Sequence, residues 1–517
     1  MRTIRILWID DEIDLLKAHV IFLEHKGYDV STVTNGNDAI DLVRENQYDI
    51  IFLDENMPGL SGLETLNGIK TIVPGVPVVM ITKNEEEAIM DEAIGLKMAD
   101  FLIKPVNPKQ ILLSIKKNVD RQELVTRKTT SNYQHEFSRI ASLLNEQPDF
   151  KAWKEIYRKL VFWELELSES QDPAMDEVLR LQKAEANNNF GRYIRLSYPD
   201  WFNGTPGTRP LMSPGLFRDR IFPMLDQGGK VFFLLIDNLR YDQFCVLMNA
   251  VRPYFSIDEE LYYSILPTAT MYARNALFAG LMPSRIAELY PGLWDEDDNE
   301  GNKNNHEQEL LEKQMFRSGR KEKLFFEKVT NSRSGRKLID NLSNVLHNDL
   351  SVLVFNFVDM MSHARTEMEM IKELACNEKA YRSLTLSWFN HSILLELLKE
   401  LASCDIKVVL TTDHGTIRVD NPVKIIGDRT TNANLRYKLG KNLNYDARQV
   451  FEIGRPEEIG LPGRHVSSRF IFARNNDFFV YPNSYNYYVQ YFRDTFQHGG
   501  ISLEEMIVPF ATLTPRK

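Results

Sequence analysis

The sequence predicts an α/β protein of three parts: an N-terminal doubly wound parallel sheet, a central helical bundle and a larger C-terminal α/β domain. In the first and last parts, apolar runs alternate with amphipathic helical segments, which is typical of parallel sheets covered by helices. Between them, from 121 to 222, charged helical periodicity replaces the strand-like runs. A chain of 517 residues accommodates roughly three domains of about 150 residues each.

Net charge, cysteine content and hydropathy argue against some classes of function and location. The net charge of −10 gives no general attraction to nucleic acid backbones, and with no recognisable reader motif direct DNA binding is a weak hypothesis. The cysteines Cys245, Cys376 and Cys404 are far apart, which fits a reducing cytoplasm better than a disulfide framework. The apolar stretch at the N-terminus is too short for a signal peptide, and no run approaches the roughly 20 residues of a membrane helix. We therefore expect a cytoplasmic protein.

The N-terminal part, residues 1–120, contains five strand-like apolar runs separated by helical segments. This alternation predicts a parallel, doubly wound sheet. The expected strands are 5–9, 28–33, 49–53, 78–82 and 100–105, and the expected helices include 13–26 and 108–118.

Charged residues stand at the ends of these strands. Asp10 and Asp11 come at the end of the first strand, Asp54 ends the third, and Lys104 with Pro105 ends the fifth. Carboxylates gathered at a strand-end rim bind a hard cation such as Mg²⁺. The cation and Lys104 would neutralise phosphoryl oxygens while Asp54 attacks a phosphodonor.

These residues, with Met57-Pro58-Gly59 after the acceptor and Thr82 between Asp54 and Lys104, resemble the receiver domain of two-component response regulators. The resemblance implies phosphorylation of Asp54 by a sensor histidine kinase. It also implies that Asp10, Asp11, Asp54 and the backbone carbonyl of Asn56 hold Mg²⁺, and that Thr82, Phe101 and Lys104 form the receiver switch. The alternatives are an inert flavodoxin-like domain and, for Phe101, an aromatic side chain that only packs.

The central part, residues 121–222, has helical periodicity and many charges. Helices are expected over 134–146, 150–167 and 174–187, and they would form a small bundle that links the outer domains. The Gly- and Pro-rich stretch 203–210 predicts a loop into the last part.

Three apolar runs in the C-terminal part, residues 223–517, each end in an aspartate. Ligands of open α/β sheets bind beyond the carboxyl ends of the strands, so these aspartates are expected to meet at one edge, where histidines join them. Carboxylates and imidazoles without cysteine are typical of hydrolytic metal sites, although any one of them alone is usually a hydrogen-bonded core residue. The residues are Asp237, Asp359, His363, Asp413, His414 and His498.

A threonine stands at the expected start of a helix, after Leu266-Pro267-Thr268-Ala269. The Thr270 hydroxyl is well placed for anion chemistry, since helix N-termini favour negative charge. An ordinary N-cap is the plain alternative. Farther along, the polar stretch 295–323 is either an excursion over the sheet or a mobile surface loop.

The order Asp, Thr, Asp-x-x-x-His, Asp-His, His resembles the alkaline phosphatase superfamily, and the His-Gly-Gly at 498–500 resembles its PglZ branch. The resemblance implies an alkaline-phosphatase-like α/β/α domain with two Zn²⁺ ions. One ion would take Asp359, His363 and His498. The other would take Asp237, Asp413 and His414, with Thr270, rather than Thr268, as the catalytic nucleophile.

Three further residues are candidates for substrate binding. Arg274 and Asn275 lie one turn beyond Thr270 and are candidates to contact phosphate oxygens. His465 lies in a loop near the expected site, where substrate contact and ordinary loop placement are equally supported. Met271 stands where some phosphomonoesterases have a phosphate-clamping arginine, which favours a diesterase.

The whole order, a flavodoxin-like receiver followed by a helical linker and a PglZ-type effector, resembles the PorX-type response regulators linked to type IX secretion. The resemblance implies a homodimer on phosphorylation, a zinc-dependent phosphodiesterase for cyclic and linear oligonucleotides, and contact with a sigma factor or a secretion component. The rival hypothesis is a non-catalytic effector that keeps metal for structure and docks such a partner. The nucleophile favours the enzyme, because a docking surface needs none.

Overall fold

The computed structural model describes residues 3–83, 98–170, 173–203, 209–294, 305–367, 373, 375, 377–404, 406–428, 431–463 and 468–516. Within these ranges, the side chains of 120–128, 169, 170, 173, 203 and 363–367 lie outside the description. The chain divides into two compact units, Met1–Gln134 with Ser170–Asp172, and His135–Glu169 with Pro173–Lys517. Each unit is described by itself below.

The first unit is built on a five-stranded parallel sheet in the order β2-β1-β3-β4-β5, with apolar clusters on both faces. This order places the carboxyl ends of β1 and β3 side by side, where a doubly wound sheet binds its ligand. The elements are β1 Arg5–Ile9, α1 Lys17–His25, β2 Asp29–Val33, α2 Gly36–Glu45, β3 Ile50–Asp54, α3 Gly62–Ile72, β4 Val78–Thr82, β5 Asp100–Ile103 and α4 Pro108–Ile115.

Long helices follow, and two of them are longer than the sequence predicted. Helix α4 continues through a π-helical segment, Lys116–Asp120, into α5, Arg121–Asn145, which is followed by α6, Phe150–Ser170, and α7, Pro173–Ser197. Helix α7 passes the expected end at Asn187 because Phe190 and Ile194 are fully buried, and that burial outweighs the weak helix propensity of the asparagine run and Gly191. None of the helices in the described ranges is long and apolar enough to cross a membrane.

The second unit contains a six-stranded sheet in the order β7-β18-β10-β6-β9-β8. Strands β10, β6, β9 and β8 are parallel, and β18 and β7 complete the sheet in antiparallel pairing. The strands are β6 Val231–Ile236, β7 Phe255–Tyr263, β8 Leu324–Val329, β9 Leu350–Phe355, β10 Lys407–Thr411, β11 Ile417–Arg418, β12 Asn421–Lys424, β13 Tyr437–Gly440, β14 Phe451–Ile453, β15 Arg469–Phe472, β16 Asp477–Val480, β17 Phe496–Gln497 and β18 Ile507–Pro515.

Helices surround this sheet, and one replaces part of an expected loop. In the stretch 295–323, residues 295–304 lie outside the description, whereas the helix Glu307–Arg317 packs against the helix Thr270–Ala279 with Leu310, Leu311 and Met315 buried. The polar composition concealed an amphipathic helix, so the mobile-loop alternative is wrong for that segment. The helices are α8 Asp200–Asn203, α9 Phe222–Asp226, α10 Tyr241–Val251, α11 Thr270–Ala279, α12 Pro283–Leu289, α13 Glu307–Arg317, α14 Ser332–Asp340, α15 Leu342–Val345, α16 Phe357–Glu367, α17 Glu378–Asn390, α18 Ile393–Leu401, α19 Tyr485–Phe492 and α20 Leu503–Met506.

Candidate phosphoryl and metal sites

The first unit brings one lysine and two carboxylates together at the strand ends. Lys104 Nζ lies 3.0 Å from Asp10 Oδ2 and 3.0 Å from Asp54 Oδ2. Asp10 and Asp54 are buried because β1 and β3 are adjacent in the middle of the sheet. Asp11 is exposed, and with Asp10 and Asp54 it offers oxygen atoms close enough together to hold one metal ion.

The electrostatics of this cluster favour a bound cation. Burial raises the pKa of Asp54, and the charges of Asp10 and Asp11 raise it further, while the Lys104 ammonium lowers it. Burial disfavours the charged form of Lys104, but Asp54 and Asp10 outweigh it and raise the lysine pKa. Three carboxylates against one ammonium leave a negative charge that a hard divalent cation would offset.

The remaining receiver residues lie around this cluster. The buried Thr82 hydroxyl donates a hydrogen bond to Glu55, and Phe101 on β5 is 38% exposed. Asn56 is exposed in the turn that follows Asp54. That turn packs closely on the start of α3, since a Cβ on Gly62 would lie 2.6 Å from Asp54 O. The switch roles of Thr82, Phe101 and Lys104, and the Mg²⁺ role of Asn56, stay predictions.

In the second unit, Asp237 and the pair Asp413-His414 follow the adjacent parallel strands β6 and β10, and all three residues are buried. The Nδ1 atom of His414 lies 3.1 Å from Gly415 O, so a proton on Nδ1 donates to the backbone and leaves Nε2 free to bind a metal. His414 Nε2 is 3.9 Å from Asp237 Oδ1 and 3.7 Å from Asp413 Oδ2.

This donor set fits a zinc ion. Asp237 Oδ1 is buried without a hydrogen-bond partner among the described residues. Carboxylates and imidazoles are ligand types that catalytic zinc accepts. The three residues offer ligand atoms close enough together to hold one ion.

A second group of predicted ligands adjoins the first. The His498 ring stacks on His414 with 4.4 Å between the ring centroids, and His498 Nε2 is 3.7 Å from Asp359 Oδ1. Asp359 does not end a strand as expected, because β9 stops at Phe355 and Asp359 lies in the first turn of α16. His363 lies one turn further in α16, and its side chain is outside the described residues.

The two threonines occupy different positions. Thr270 is the first residue of α11, and its Oγ1 lies 3.1 Å from His414 Nε2. Ala269 occupies the N-cap position, so the N-cap alternative for Thr270 is wrong. Thr268 is fully buried, and its hydroxyl donates to Gly500 O at 2.9 Å. The geometry therefore puts Thr270 at the candidate ligands and Thr268 in a structural contact.

Arg274 is buried among carboxylates rather than open to solvent. Its guanidinium pairs with Asp237, with Asp413 at 2.9 Å and with Glu307 at 3.3 Å. Glu307 also pairs with Lys328 at 2.8 Å. A direct contact between Arg274 and substrate therefore stays a prediction, while its contacts in this structure orient Asp237 and Asp413.

The two buried carboxylates beside Arg274 have pKa values shifted in opposite directions. Burial raises the pKa of Asp237 well above its usual range, and repulsion from Asp413 and Asp359 adds to the effect against the attraction of Arg274. Burial also opposes ionisation of Asp413, but Arg274 and His414 more than offset it and lower the pKa to about 2. The cluster thus holds more carboxylates than Arg274 alone neutralises, and a metal ion would supply the missing positive charge.

Two residues that the sequence did not single out belong to the site. Asn238 has a φ of 62°, which asparagine tolerates better than most residues, and its Nδ2 donates to Asp359 Oδ1 at 3.2 Å. Because Asn238 directly follows the predicted ligand Asp237, the sequence could have identified it as a residue of the site. Glu307 follows an acidic, polar run that gave no such signal.

Of the predicted substrate contacts, Asn275 is buried with no hydrogen bond to its Oδ1 from the described residues, and His465 lies outside them.

Comparison with known families divides the chain into three matched regions. Residues 6–116 match the response regulator receiver domain, and residues 123–202 match the PorX response regulator linker domain. Residues 216–513 match the BREX system PglZ alkaline phosphatase-like domain, and this match covers more than half of the chain. The expected fold class, a receiver, a helical middle region and an alkaline phosphatase-like domain, is confirmed.

Individual relatives match the receiver region. A transcriptional regulatory protein CpxR homolog of Haemophilus influenzae is 38% identical over 114 residues, which are 22% of this chain. The chain spans about half, 48%, of the length of that relative. A CheY-like receiver domain protein from Methanospirillum hungatei JF-1 shares 25% identity with a TM-score of 0.23, and the match covers 24% of this chain and 98% of that one. The chemotaxis protein CheY4 of Vibrio cholerae shares 24% identity with a TM-score of 0.22, over 23% and 99% of the two chains.

Proposed function

Since the chain belongs to the PglZ alkaline phosphatase-like family and carries the receiver and linker of a PorX-type response regulator, we propose that its effector is a metal-dependent phosphodiesterase controlled by phosphorylation of Asp54. The observation that carries the proposal is the Thr270 hydroxyl, 3.1 Å from His414 Nε2 and beside buried carboxylates. A hydroxyl among metal ligands at a helix start suits attack on phosphorus better than it suits docking.

The proposed reaction is a double displacement at phosphorus. The Thr270 oxygen forms a bond to phosphorus as the bond to the leaving alkoxide breaks. A water then forms a bond to phosphorus as the bond to Thr270 breaks, and a proton returns to the Thr270 oxygen. The Thr270 proton passes to solvent, and the leaving oxygen takes one up. Bound zinc ions would lower the pKa of the attacking hydroxyl and stabilise the leaving oxygen. Asp237, Asp413 and His414 would hold one ion, and Asp359, His363 and His498 would hold the other.

Cyclic and linear oligonucleotides are the proposed substrates, with Arg274, Asn275 and His465 as candidate phosphate or substrate contacts. The proposal includes regulation of type IX secretion through a sigma factor or a secretion component. Its support is the match of residues 123–202 to the PorX linker domain.

The receiver would supply the control. A sensor histidine kinase would transfer a phosphoryl group to Asp54 with Mg²⁺ held by Asp10, Asp11, Asp54 and the Asn56 carbonyl, and Lys104 would neutralise the new charge. Phosphorylation would then favour a homodimer by a population shift, with Thr82 and Phe101 as the switch.

Metal content and turnover test this function together. We would measure zinc in the purified protein and hydrolysis of bis(p-nitrophenyl) phosphate by the wild type, Thr270→Ala and Thr270→Ser. We expect bound zinc, and a loss of about 10³-fold or more in Thr270→Ala with partial retention in Thr270→Ser. Full turnover by Thr270→Ala would overturn the nucleophile. Bound zinc with no turnover in any variant would favour a docking module that keeps metal for structure.

A further inference from the structure

Helix α7 and the residue that directly follows it contact two segments that adjoin the candidate site, 498–506 after His498 and 264–270 before Thr270. We infer that Asn187 of this helix and Tyr198, which directly follows it, are positioning residues, through which the linker sets the segment 498–506 and the segment 264–270 against each other. The catalytic meaning of this inference rests on the proposed function, whereas the contacts themselves do not.

Asn187 binds the segment that follows His498. It is 3% exposed, and both ends of its amide are used. Its Nδ2 donates to Glu504 Oε2 at 2.9 Å, and its Oδ1 accepts from Leu503 N at 2.7 Å. Helix α20 therefore begins with its first two residues attached to α7.

Tyr198 binds the segment that precedes Thr270. It directly follows α7, is fully buried, and its hydroxyl accepts a hydrogen bond from Leu266 N at 2.9 Å. Burial raises the pKa of Tyr198, so the hydroxyl stays protonated. Leu266 is four residues before Thr270, so the turn that leads to the proposed nucleophile is attached to the residue that directly follows α7.

The two segments are also bonded directly to each other. The Thr268 hydroxyl donates to Gly500 O at 2.9 Å and accepts from Gly499 N at 3.1 Å. The His498 Nδ1 atom lies 3.3 Å from Thr268 O, which orients the ring and leaves Nε2 facing Asp359. A displacement of either segment is therefore transmitted to both His498 and Thr270.

Helix α20 reaches the other histidine as well. The amide of Gly415, directly after His414, donates to Glu505 O at 3.2 Å. A Cβ on Gly415 would lie 2.0 Å from Glu504 O, so the two backbones are in close contact. The residue that Asn187 binds thus touches the chain beside His414, while Glu505 Oε1 accepts from Gly500 N at 2.9 Å on the His498 side.

Helix α7 is also bonded to α5 within the second unit. Gln182 of α7 is 2% exposed, and its Nε2 donates to Phe137 O of α5 at 3.0 Å. Lys159 of α6 pairs with Glu136 of α5. Phe137 lies in the same unit as α7, so a change in the position of α5 at Phe137 would act on α7 one to two turns before Asn187.

Hydrogen exchange on the metal-free full-length protein tests the positioning role without any activity. Asn187→Ala should speed exchange of amides in residues 498–506 by about tenfold, because it removes two buried hydrogen bonds to α20. Tyr198→Phe should do the same around residues 264–270. The matched control is Asn188→Ala, which alters the neighbouring, exposed asparagine and should change neither segment. Unchanged exchange of both segments in Asn187→Ala and Tyr198→Phe would overturn the inference.

A reciprocal swap separates positioning from general loss of packing. Asn187→Asp alone sets two carboxylates side by side and should loosen 498–506 like Asn187→Ala. Adding Glu504→Gln restores the hydrogen bond in the opposite direction, with the amide at 504 as donor and the carboxylate at 187 as acceptor. The hydrogen-exchange rate of 498–506 should therefore return toward that of the wild type. If the double variant is no better than Asn187→Asp, the specific contact is not what positions the segment.

Kinetics distinguish this inference from the proposed function. If the wild type hydrolyses phosphodiesters, Asn187→Ala should lower kcat by about 10–100-fold with little change in KM, since small displacements of reacting groups reduce the rate more than binding. Phosphorylation of Asp54 should also change kcat less in Asn187→Ala than in the control variant Asn188→Ala. If the wild type shows no turnover, the proposed function fails, and the exchange result still decides the positioning role.

Discussion

The Thr270 hydroxyl oxygen lies 3.1 Å from His414 Nε2, the imidazole nitrogen that the Gly415 carbonyl leaves free for metal. This relationship connects the helix start that carries the proposed nucleophile to the strand end that carries the proposed metal ligands. Predictions about metal, charge, packing and phosphorylation follow from it and from the residues around it.

Zinc should stabilise the second unit through Asp237, Asp413 and His414. A ligand that binds only the folded protein adds about 2.7 kcal/mol at a concentration 100 times its Kd. Thermal unfolding with zinc and with a chelator should therefore differ in midpoint. His414→Ala should reduce this difference strongly, and an equal shift in wild type and His414→Ala would contradict the ligand assignment.

Arg274 should stabilise the metal-free protein and oppose metal binding. Its guanidinium is buried against Asp237 and Asp413, and removal of one partner from a buried ion pair costs about 3–5 kcal/mol. Arg274→Ala should therefore melt earlier without zinc and gain more than wild type when zinc is added, because the ion then supplies the missing charge. A smaller zinc gain in the variant would argue that Arg274 supports the metal instead.

The buried pair between Arg436 and Glu505 should be a main support of the segment 498–506. Both side chains are fully buried, and Glu505 also accepts from Gly500 N. Glu505→Ala should lower the free energy of unfolding by about 3–5 kcal/mol in urea denaturation. Glu458→Ala, which removes an exposed pair with Arg455, is the control and should change stability little.

Phosphorylation should change the oligomeric state through Asp54. Light scattering of wild type treated with a small-molecule phosphodonor should report a larger mass than that of Asp54→Ala under the same conditions. Lys104→Ala should accept phosphate but respond weakly, because the ammonium that contacts Asp54 is gone. The same mass for phosphorylated wild type and Asp54→Ala would contradict the dimer switch.

The sequence predicted the positions of the candidate site residues best where those residues lie at the end of a strand. Asp237 and Asp413 end apolar runs that do form neighbouring parallel strands, so their convergence followed from the pattern alone. Asp359 was assigned to a strand end but lies in a helix, because the apolar run continues through Phe357 and Val358 into α16. Periodicity in so short a run does not separate the two structures.

Contacts between residues far apart in the chain could not be predicted from the hydrophobic pattern of the sequence. Asn187 lies in a run of three asparagines that looks like a helix end, and only burial of Phe190 and Ile194 carries α7 past it. Glu307 follows a polar run, and only the fold brings it to Arg274, 33 residues earlier. The candidate ligands could be proposed from the sequence, whereas the residues that orient them depend on tertiary packing.

The stereochemistry at phosphorus tests the role of Thr270 most directly. A phosphorothioate diester of one configuration would be hydrolysed by zinc-loaded protein in isotopically labelled water, and the configuration of the product determined. Two successive displacements, first by Thr270 and then by water, predict net retention. Net inversion would show a single direct attack by water and would contradict Thr270 as the nucleophile.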